Sequence, residues 1–237
     1  MDLKEIGLLG TDQESHWYYA SKARALRHAL GDYSPRRILD VGAGSGFFSK
    51  TLLRETAATG AVCVDSGYVE ERSEVQFAKP IEFRRTSPVG NADLVLLMDV
   101  LERVEDDVAL LREFAAPAVP RTRFVVSVPA FSWLWSRHDE FLEHRRRYTL
   151  GDVSRVFSAA GLSPVAGFYM FAAVFPAVAA QRLWSRWWST AQPPKSDLRR
   201  HHAWTNNVLT QLCLAECAVA RHNRAFGLTA FGVAEKT

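Results

Sequence analysis

Residues 38–49, Ile-Leu-Asp-Val-Gly-Ala-Gly-Ser-Gly-Phe-Phe-Ser, constrain the fold more than any other stretch of this chain. An apolar run carries a carboxylate, Asp40, near its end. Three glycines follow at alternate positions, and a helical pattern begins directly after them. Strand, glycine turn and helix in that order bring backbone N–H groups against a ligand, the arrangement of a nucleotide-cofactor site. A dinucleotide fingerprint requires a third glycine where Phe47 stands, and the Gly-Lys-Ser/Thr of a phosphate-cradling loop is absent. Asp40 adds an electrostatic constraint. A carboxylate beside the turn repels a pyrophosphate and attracts a cation, so the expected ligand is nucleotide-like with a positively charged end.

About 20 residues past the glycines, Ala61-Val-Cys-Val-Asp65 reads as a second strand ending in an acid, which suits hydrogen bonds to two ribose hydroxyls. Ala92-Asp-Leu-Val-Leu-Leu-Met-Asp-Val-Leu-Glu102 reads as a further strand and the turn behind it. Loop, Asp65 and this segment, in order, resemble the landmarks of the class I S-adenosylmethionine-dependent methyltransferases, and the resemblance covers most of the chain. It implies an α/β fold: a Rossmann-like seven-stranded doubly wound sheet with helices on both faces and an antiparallel last strand. It also implies S-adenosylmethionine as cofactor, whose ammonium and sulfonium suit Asp40. On that resemblance, Gly42, Gly44 and Gly46 let the backbone approach methionine and ribose, Asp65 holds the ribose, and Asp99 lines the methyl-transfer centre. The chain departs from the family in two places. Many members have Glu-His where Glu102-Arg103 stands. Members often carry an acid for the adenine amino group where this chain reads Arg84-Arg-Thr-Ser-Pro-Val-Gly90, so Thr86, with Ser87, is the candidate for that contact.

A chain of 237 residues, 48% apolar, fits one α/β domain with elaborations, and no Pro/Gly/Ser-rich linker divides it. The expected parts are an N-terminal cap helix over 1–34, a cofactor-binding core over 35–130, and an acceptor loop, extra helices and last strands over 131–237. A net charge of +3 is no footprint for nucleic acid by itself. The Asn/Asp-Pro-Pro-aromatic motif of amino-methylating nucleic-acid enzymes is absent where Met98-Asp99-Val-Leu stands. Cys63, Cys213 and Cys217 lack metal-ligand spacing and read as packing residues, which points to a reducing compartment. No signal-peptide pattern opens the chain, and no run reaches the roughly 20 apolar residues of a membrane span. A cytoplasmic protein is expected.

Periodicity predicts helices at 13–30, 46–57, 68–78, 104–116, 150–160, 175–189 and 198–225, and strands at 37–41, 61–65, 81–85, 93–98, 122–128, 163–170 and 228–234. Strands alternating with helices form a parallel sheet with its ligand site at the carboxyl ends, where Asp40, Asp65, Asp99 and Pro129 fall.

The loop from Pro129 to Tyr148 is the second distinctive stretch. Its His-Asp…His-x-Arg-Arg-Tyr pattern, with His16-Trp-Tyr-Tyr near the N-terminus, resembles a bacterial small-molecule subgroup of the same methyltransferases. If the methyl acceptor is a hydroxyl, a base assists its deprotonation, and histidine suits that task near neutral pH. His144 is the first candidate and His138 the second, with Asp139 able to orient either ring; both are equally readable as structural histidines. These three are also metal-ligand types, but no second cluster accompanies them, and no metal is expected. Arg145, Arg146 and Arg147 read either as a solvated run paired with Glu140 and Glu143 or as a clamp for an anionic substrate. Arg146, Arg147, Tyr148, Trp133, His16 and Tyr19 are the candidate substrate contacts, and the N-terminal helix is expected to cover the cleft.

Residues 175–189 place Ala180, Leu183, Trp184, Trp187 and Trp188 on one side of a helix and Arg182, Ser185, Arg186 and Ser189 on the other. That composition fits a peripheral membrane contact as well as ordinary packing or a dimer contact. The expected activity is methyl transfer to a small-molecule or lipid-like acceptor, oxygen first because of the histidines. The alternatives are an isomerase or cyclase that retains the cofactor, and a non-catalytic binding protein on the same fold.

Overall fold

The computed structural model describes residues 15–87, 92–188 and 202–237, with 185–188 by backbone alone. In chain order the elements are α1 (Trp17–Leu30), β1 (Arg37–Val41), α2 (Phe47–Glu55), β2 (Gly60–Val64), β3 (Arg72–Gln76), β4 (Lys79–Arg84), β5 (Leu94–Met98) and α3 (Asp107–Ala115). There follow β6 (Arg123–Pro129), a 3₁₀ turn at Ser132–Leu134, α4 (Arg137–Phe141), α5 (Leu150–Ala159), β7 (Ser163–Met170), α6 (Phe175–Trp188), α7 (Ala203–Ala220) and β8 (Thr229–Glu235).

One mixed sheet runs in the order β3-β4-β2-β1-β5-β6-β8-β7. The five strands from β4 to β6 are mutually parallel; β8 lies antiparallel between β6 and β7. The apolar runs sort their residues by alternation, as a strand buried on both faces must. Ile38, Leu94 and Leu96 pack in one layer with α1, α2 and α7, while Leu39, Val95 and Leu97 pack in the other with α3 and α5. Asp40 lies level with Cys63 of β2 and Leu96 of β5, so the ends of these three strands form one rim.

The doubly wound sheet and its antiparallel last strand agree with expectation, but the sheet has eight strands rather than seven. The helix expected at 68–78 is replaced by β3, which pairs antiparallel with β4 from Arg72 opposite Phe83 to Gln76 opposite Lys79. Phe77 and Ala78 close the hairpin with φ of 54° and 58°. Tight hairpin turns favour positive φ at both central residues, and neither residue is a glycine or asparagine that would have signalled it. The short α4 was also unforeseen. α1 starts at Trp17, so the predicted residues 13 and 14 lie outside the described ones, as do 198–201 before α7.

β4 and β5 are joined by residues 85–93, and none of the described residues in that link is helical. The sheet face beneath it carries a cavity of about 490 Å³ lined by Leu39, Val62, Val95 and Phe114. It opens at the amino ends of the strands, away from the Asp40 rim.

Candidate active site

β1 delivers Asp40 to the rim almost wholly buried, 1% exposed. Ser49, in the first turn of α2, donates to its Oδ2 at 2.8 Å, and Oδ1 is buried with no hydrogen-bond partner. Burial pushes the carboxyl up to about 6, and the Ser49 bond keeps it from rising further. The glycine turn is tied to the end of β2: Gly42 N–H and Ala43 N–H both donate to Val64 O, at 2.7 and 3.2 Å. Gly42, Gly44 and Gly46 all have φ between 55° and 71°, where a side chain is strained. At Gly42 a Cβ would stand 2.6 Å from Val100 Cγ2, and at Gly46 it would stand 2.9 Å from the Phe83 ring. Gly42 and Gly46 are therefore positions where the turn has no room for a side chain.

Asp65 begins where β2 ends. Its Oδ2 accepts Gly44 N–H at 3.1 Å and its Oδ1 accepts Gly67 N–H at 2.9 Å. Each carboxylate oxygen accepts two hydrogen bonds, so both keep a lone pair for a diol. The Tyr68 hydroxyl donates to Gly44 O at 2.6 Å and fixes the same peptide. A buried carboxylate oxygen without a donor, a diol-competent carboxylate and a glycine-rich turn fit a cationic nucleoside. Thr86 lies exposed beyond β4.

Asp99 stands at the end of β5 in the left-handed region, φ 59°. Its Oδ2 pairs with the Lys22 ammonium from α1, which is 0% exposed and also donates to the Tyr18 hydroxyl at 3.1 Å. Burial works to raise the Asp99 carboxyl, but the Lys22 charge outweighs it and holds the group below its ordinary value. Lys22 was not singled out for a role in the sequence. The signal was its place on the stripe Tyr19, Ala23, Leu26, Leu30 of α1, where a charged residue needs a buried partner. Lys22→Met leaves Asp99 unpaired. Because Asp99 keeps 21% of its side chain exposed, the expected cost is about 2 kcal/mol, below that of a fully buried broken pair. Urea unfolding checks it; an unchanged midpoint would remove the pair from the stability of the cap.

The loop after β6 is organised by Asp139. Its carboxylate is fully buried and accepts from Arg147 Nε and Nη2 at 2.8 and 2.9 Å, from Ser136 N–H at 2.8 Å, and pairs with His144 Nδ1 at 2.9 Å. Burial opposes its ionisation, yet His144 and Arg147 more than compensate and hold it well below the carboxylate range. His144 Nε2 then faces Glu102 Oε1 at 3.7 Å, and His138 has its ring 6.4 Å from that of His144. Glu102 is wholly buried, and neither of its oxygens nor His144 Nε2 has a hydrogen-bond partner. Burial, with the Asp99 charge behind it, pushes Glu102 up to about 7, while His144 pulls it back. Glu102 had been given no role in the sequence; the signal was an acid directly after the apolar pair Val100-Leu101.

The arginine run is neither a solvated face nor an open clamp. Arg147 spends its guanidinium on Asp139 and on Ala130 O at 2.8 Å. Arg146 donates to Val104 O and Glu105 O and lies 3.3 Å from Asp107, and Arg145 donates to Arg103 O. Tyr148, buried, donates to Asp107 Oδ2 and Leu101 O at 2.7 and 3.0 Å. Arg147 and Tyr148, expected to face a substrate, instead turn inward: Arg147 holds Asp139, and Tyr148 braces the turn that carries Glu102 through Leu101 O. His16 caps α1, its Nδ1 accepting from Tyr18 N–H at 3.3 Å. Tyr19 is buried beside the Phe47 ring next to the glycine turn. Trp133 stays exposed, its ring against those of Phe131 and Phe175. Among the described residues no group of three or more His, Cys, Asp or Glu is placed to hold a metal ion, and no helix is long and apolar enough to cross a membrane.

Comparison with known proteins agrees with this geometry. The family model described as a methyltransferase domain matches residues 16–166. A ubiquinone biosynthesis O-methyltransferase of Bordetella bronchiseptica is 31% identical over 104 residues, which are 40% of this chain and 43% of that protein. The chain thus matches less than half the length of this relative. Among solved structures, a Galdieria sulphuraria protein assigned as a sarcosine dimethylglycine methyltransferase superposes with a TM-score of 0.54 at 14% identity, over 93% of this chain and 86% of the other. The cyclase SpnF does so with 0.54 at 15% identity, over 92% and 82%. At such identities these two show the fold alone. The matched model spans the glycine turn, Asp65, Asp99 and the Asp139 loop together, and on that footing the chain belongs to the methyltransferase-domain family.

Proposed function

We propose that the protein methylates an oxygen atom of a small-molecule or lipid-like acceptor in the cytoplasm, with the His144–Glu102 pair taking up the acceptor's proton. The observation that carries this reading is the buried, unsatisfied pair itself, with Nε2 and Oε1 3.7 Å apart behind Asp99. Asp139 accepts from Nδ1–H, so the neutral ring presents its lone pair at Nε2. When bound, S-adenosylmethionine supplies an electrophilic methyl group on sulfonium. With the methyl moving from sulfur to oxygen and the thioether leaving, the hydroxyl proton would pass to the pair, which would hold it between a histidine and a carboxyl pushed up to about 7. The O-methyltransferase name of the Bordetella relative supports oxygen as the target atom; its acceptor is not carried over.

Asp40, Gly42, Gly44, Gly46, Asp65, Thr86 and Asp99 are assigned to the cofactor. His16, Tyr19, Trp133 and Arg146 stay candidate substrate contacts, while Arg147 and Tyr148 act by bracing the loop. Calorimetric titration with S-adenosylmethionine and S-adenosylhomocysteine, followed by mass spectrometry of lysate and lipid extract incubated with methyl-labelled cofactor, tests the reading. A labelled methyl ether or ester supports it; label on nitrogen or carbon overturns it. In the same titration Asp65→Ala is expected to raise the dissociation constant about 100-fold, because two charge-assisted bonds to ribose contribute about 1.5 kcal/mol each. Unaltered affinity would take Asp65 out of the site.

A further inference from the structure

α1 carries Lys22, Arg24, Arg27 and His28 and no acid. Lys22 is spent on Asp99 at the ligand rim. The other three stand three and four residues apart and so share one face of the helix. They lie toward its far end, where Leu30 O meets Arg123 at the start of β6. Arg24 is exposed, and Arg27 and His28 are half-buried.

α7 adds a fourth base to this face. Arg221, its C-cap, lays its guanidinium over Gly31, with Nη1 and Nη2 3.1 and 3.3 Å from where a Cβ would stand. None of these four side chains makes an ion pair or a hydrogen bond among the described residues. The His28 imidazole is held below its ordinary value, by burial first and then by the charges of Arg24, Arg221 and Arg27; among the described residues no acid offsets them. Glu216 of α7 gives its carboxylate to Ala172 N–H and Ala173 N–H at 2.7 and 3.0 Å, and Asp32, just past Gly31, forms no ion pair. Bases at the end of a helix ordinarily serve its last carbonyls. Here Arg27 O and His28 O already accept Gly31 N–H, and Leu30 O accepts Tyr33 N–H and Arg123 Nη1. Like charges gathered in this way repel, and an anion seated among them removes the repulsion.

We propose that the seam of α1 and α7 at Arg24, Arg27, His28 and Arg221 binds a phosphate group. Guanidinium matches phosphate bidentately. The three arginines can only donate, whereas a neutral imidazole also accepts. Hydrogen phosphate complements that set: its oxygens accept, and its last proton, which titrates at about 6, donates. An ionised carboxylate has no proton to offer His28. A phosphate in this place ties α1 to α7 at the end of the cap helix opposite Lys22. The same chemistry is carried by a soluble phosphate compound and by a lipid phosphomonoester headgroup.

Calorimetric titration of the full chain with pyrophosphate at constant ionic strength tests the proposal, with acetate as the control. Saturable binding of one pyrophosphate per chain is expected, and none of acetate. Arg24→Gln and Arg221→Gln should each weaken it about tenfold or more, the loss of at least one charge-assisted hydrogen bond, with affinity for S-adenosylmethionine unchanged. If one variant fails to fold, the other decides. Pyrophosphate should also move the His28 titration midpoint upward in proton NMR, because the anion offsets Arg24, Arg27 and Arg221. Sedimentation with phosphatidylcholine vesicles containing phosphatidic acid, and not with phosphatidylcholine alone, would assign the phosphate to a lipid headgroup; pyrophosphate binding without sedimentation would assign it to a soluble compound. No saturable binding, acetate bound as tightly, an unmoved His28 midpoint, or a folded variant that binds like the parent would each overturn the proposal. None of these results touches the oxygen-transfer reading, which labelled-product analysis decides separately.

Discussion

Replacing Glu102 with glutamine makes the protein more stable above neutral pH and a much poorer catalyst. In the folded chain Glu102 is pushed up to about 7 from an ordinary 4.5 by burial and by Asp99. As pH rises through 4.5 the unfolded chain releases this proton while the folded chain keeps it, so stability falls with pH until the folded group also ionises near 7. The parent therefore carries a penalty of about 3 kcal/mol at pH 8, and the penalty vanishes below pH 4.5. Glutamine has the shape of the neutral acid and does not ionise, so Glu102→Gln should gain that amount at pH 8 and almost nothing at pH 4. Removing a proton acceptor lowers kcat by about 10²- to 10⁴-fold, and the alkaline rise of the pH–rate profile should flatten. Thermal unfolding at the two pH values and kcat against pH check both halves. Equal stability at pH 8 would show that the carboxyl is not held uncompensated in the fold; an unchanged kcat would take it out of proton uptake. Stability lost for the sake of a site is a common trade.

Arg147→Met should lower the unfolding free energy by about 3–5 kcal/mol, the cost of leaving a buried charge without its partner. Asp139 is fully buried, and Arg147 supplies two of its donors. The second variant, Asp139→Asn with Arg147→Met, removes both charges and should recover much of the loss, since a buried pair contributes little beyond what an apolar replacement gives. Urea midpoints for the two proteins measure this. If Arg147→Met kept its stability and only raised the Michaelis constant of the substrate, the side chain would be a substrate clamp after all. The single variant also frees His144, whose Nδ1 shares the same carboxylate, so its residual activity should fall further than its folded fraction.

The strand ends that carry Asp40, Asp65 and Asp99 were legible because each acid closes an unbroken apolar run, a pattern that buried parallel strands impose. β7 was legible at both ends for a similar reason, with Gly161 at φ 80° stopping α5 just before it. β3 was not legible. Its five residues, Arg-Ser-Glu-Val-Gln, lie on an edge where one side is open to water, and its turn uses Phe77-Ala78 in place of a residue suited to positive φ. α4 was hidden for another reason. Its Ser136…Asp139 capping box is a helix start signal, but the histidines drew Asp139 into a different reading. In the candidate site, the residues that the sequence did not mark for a role, Lys22 and Glu102, are buried charges whose partners come from elements 77 and about 40 residues away. No local periodicity encodes a partner at that range.

The cap helix has a history that its position implies. Trp17 N–H donates to Asn206 Oδ1 and Asn206 Nδ2 donates to Ser15 O, spans of 189 and 191 residues, and Cys217 Sγ meets Ser21 O across 196. α1 leaves the ribosome well before the surfaces of α7 that hold it are made. Its apolar stripe must stay uncovered until α7 and β8 emerge. An early-made helix is thus seated late, and the ligand end of the sheet is completed only after α7 has emerged.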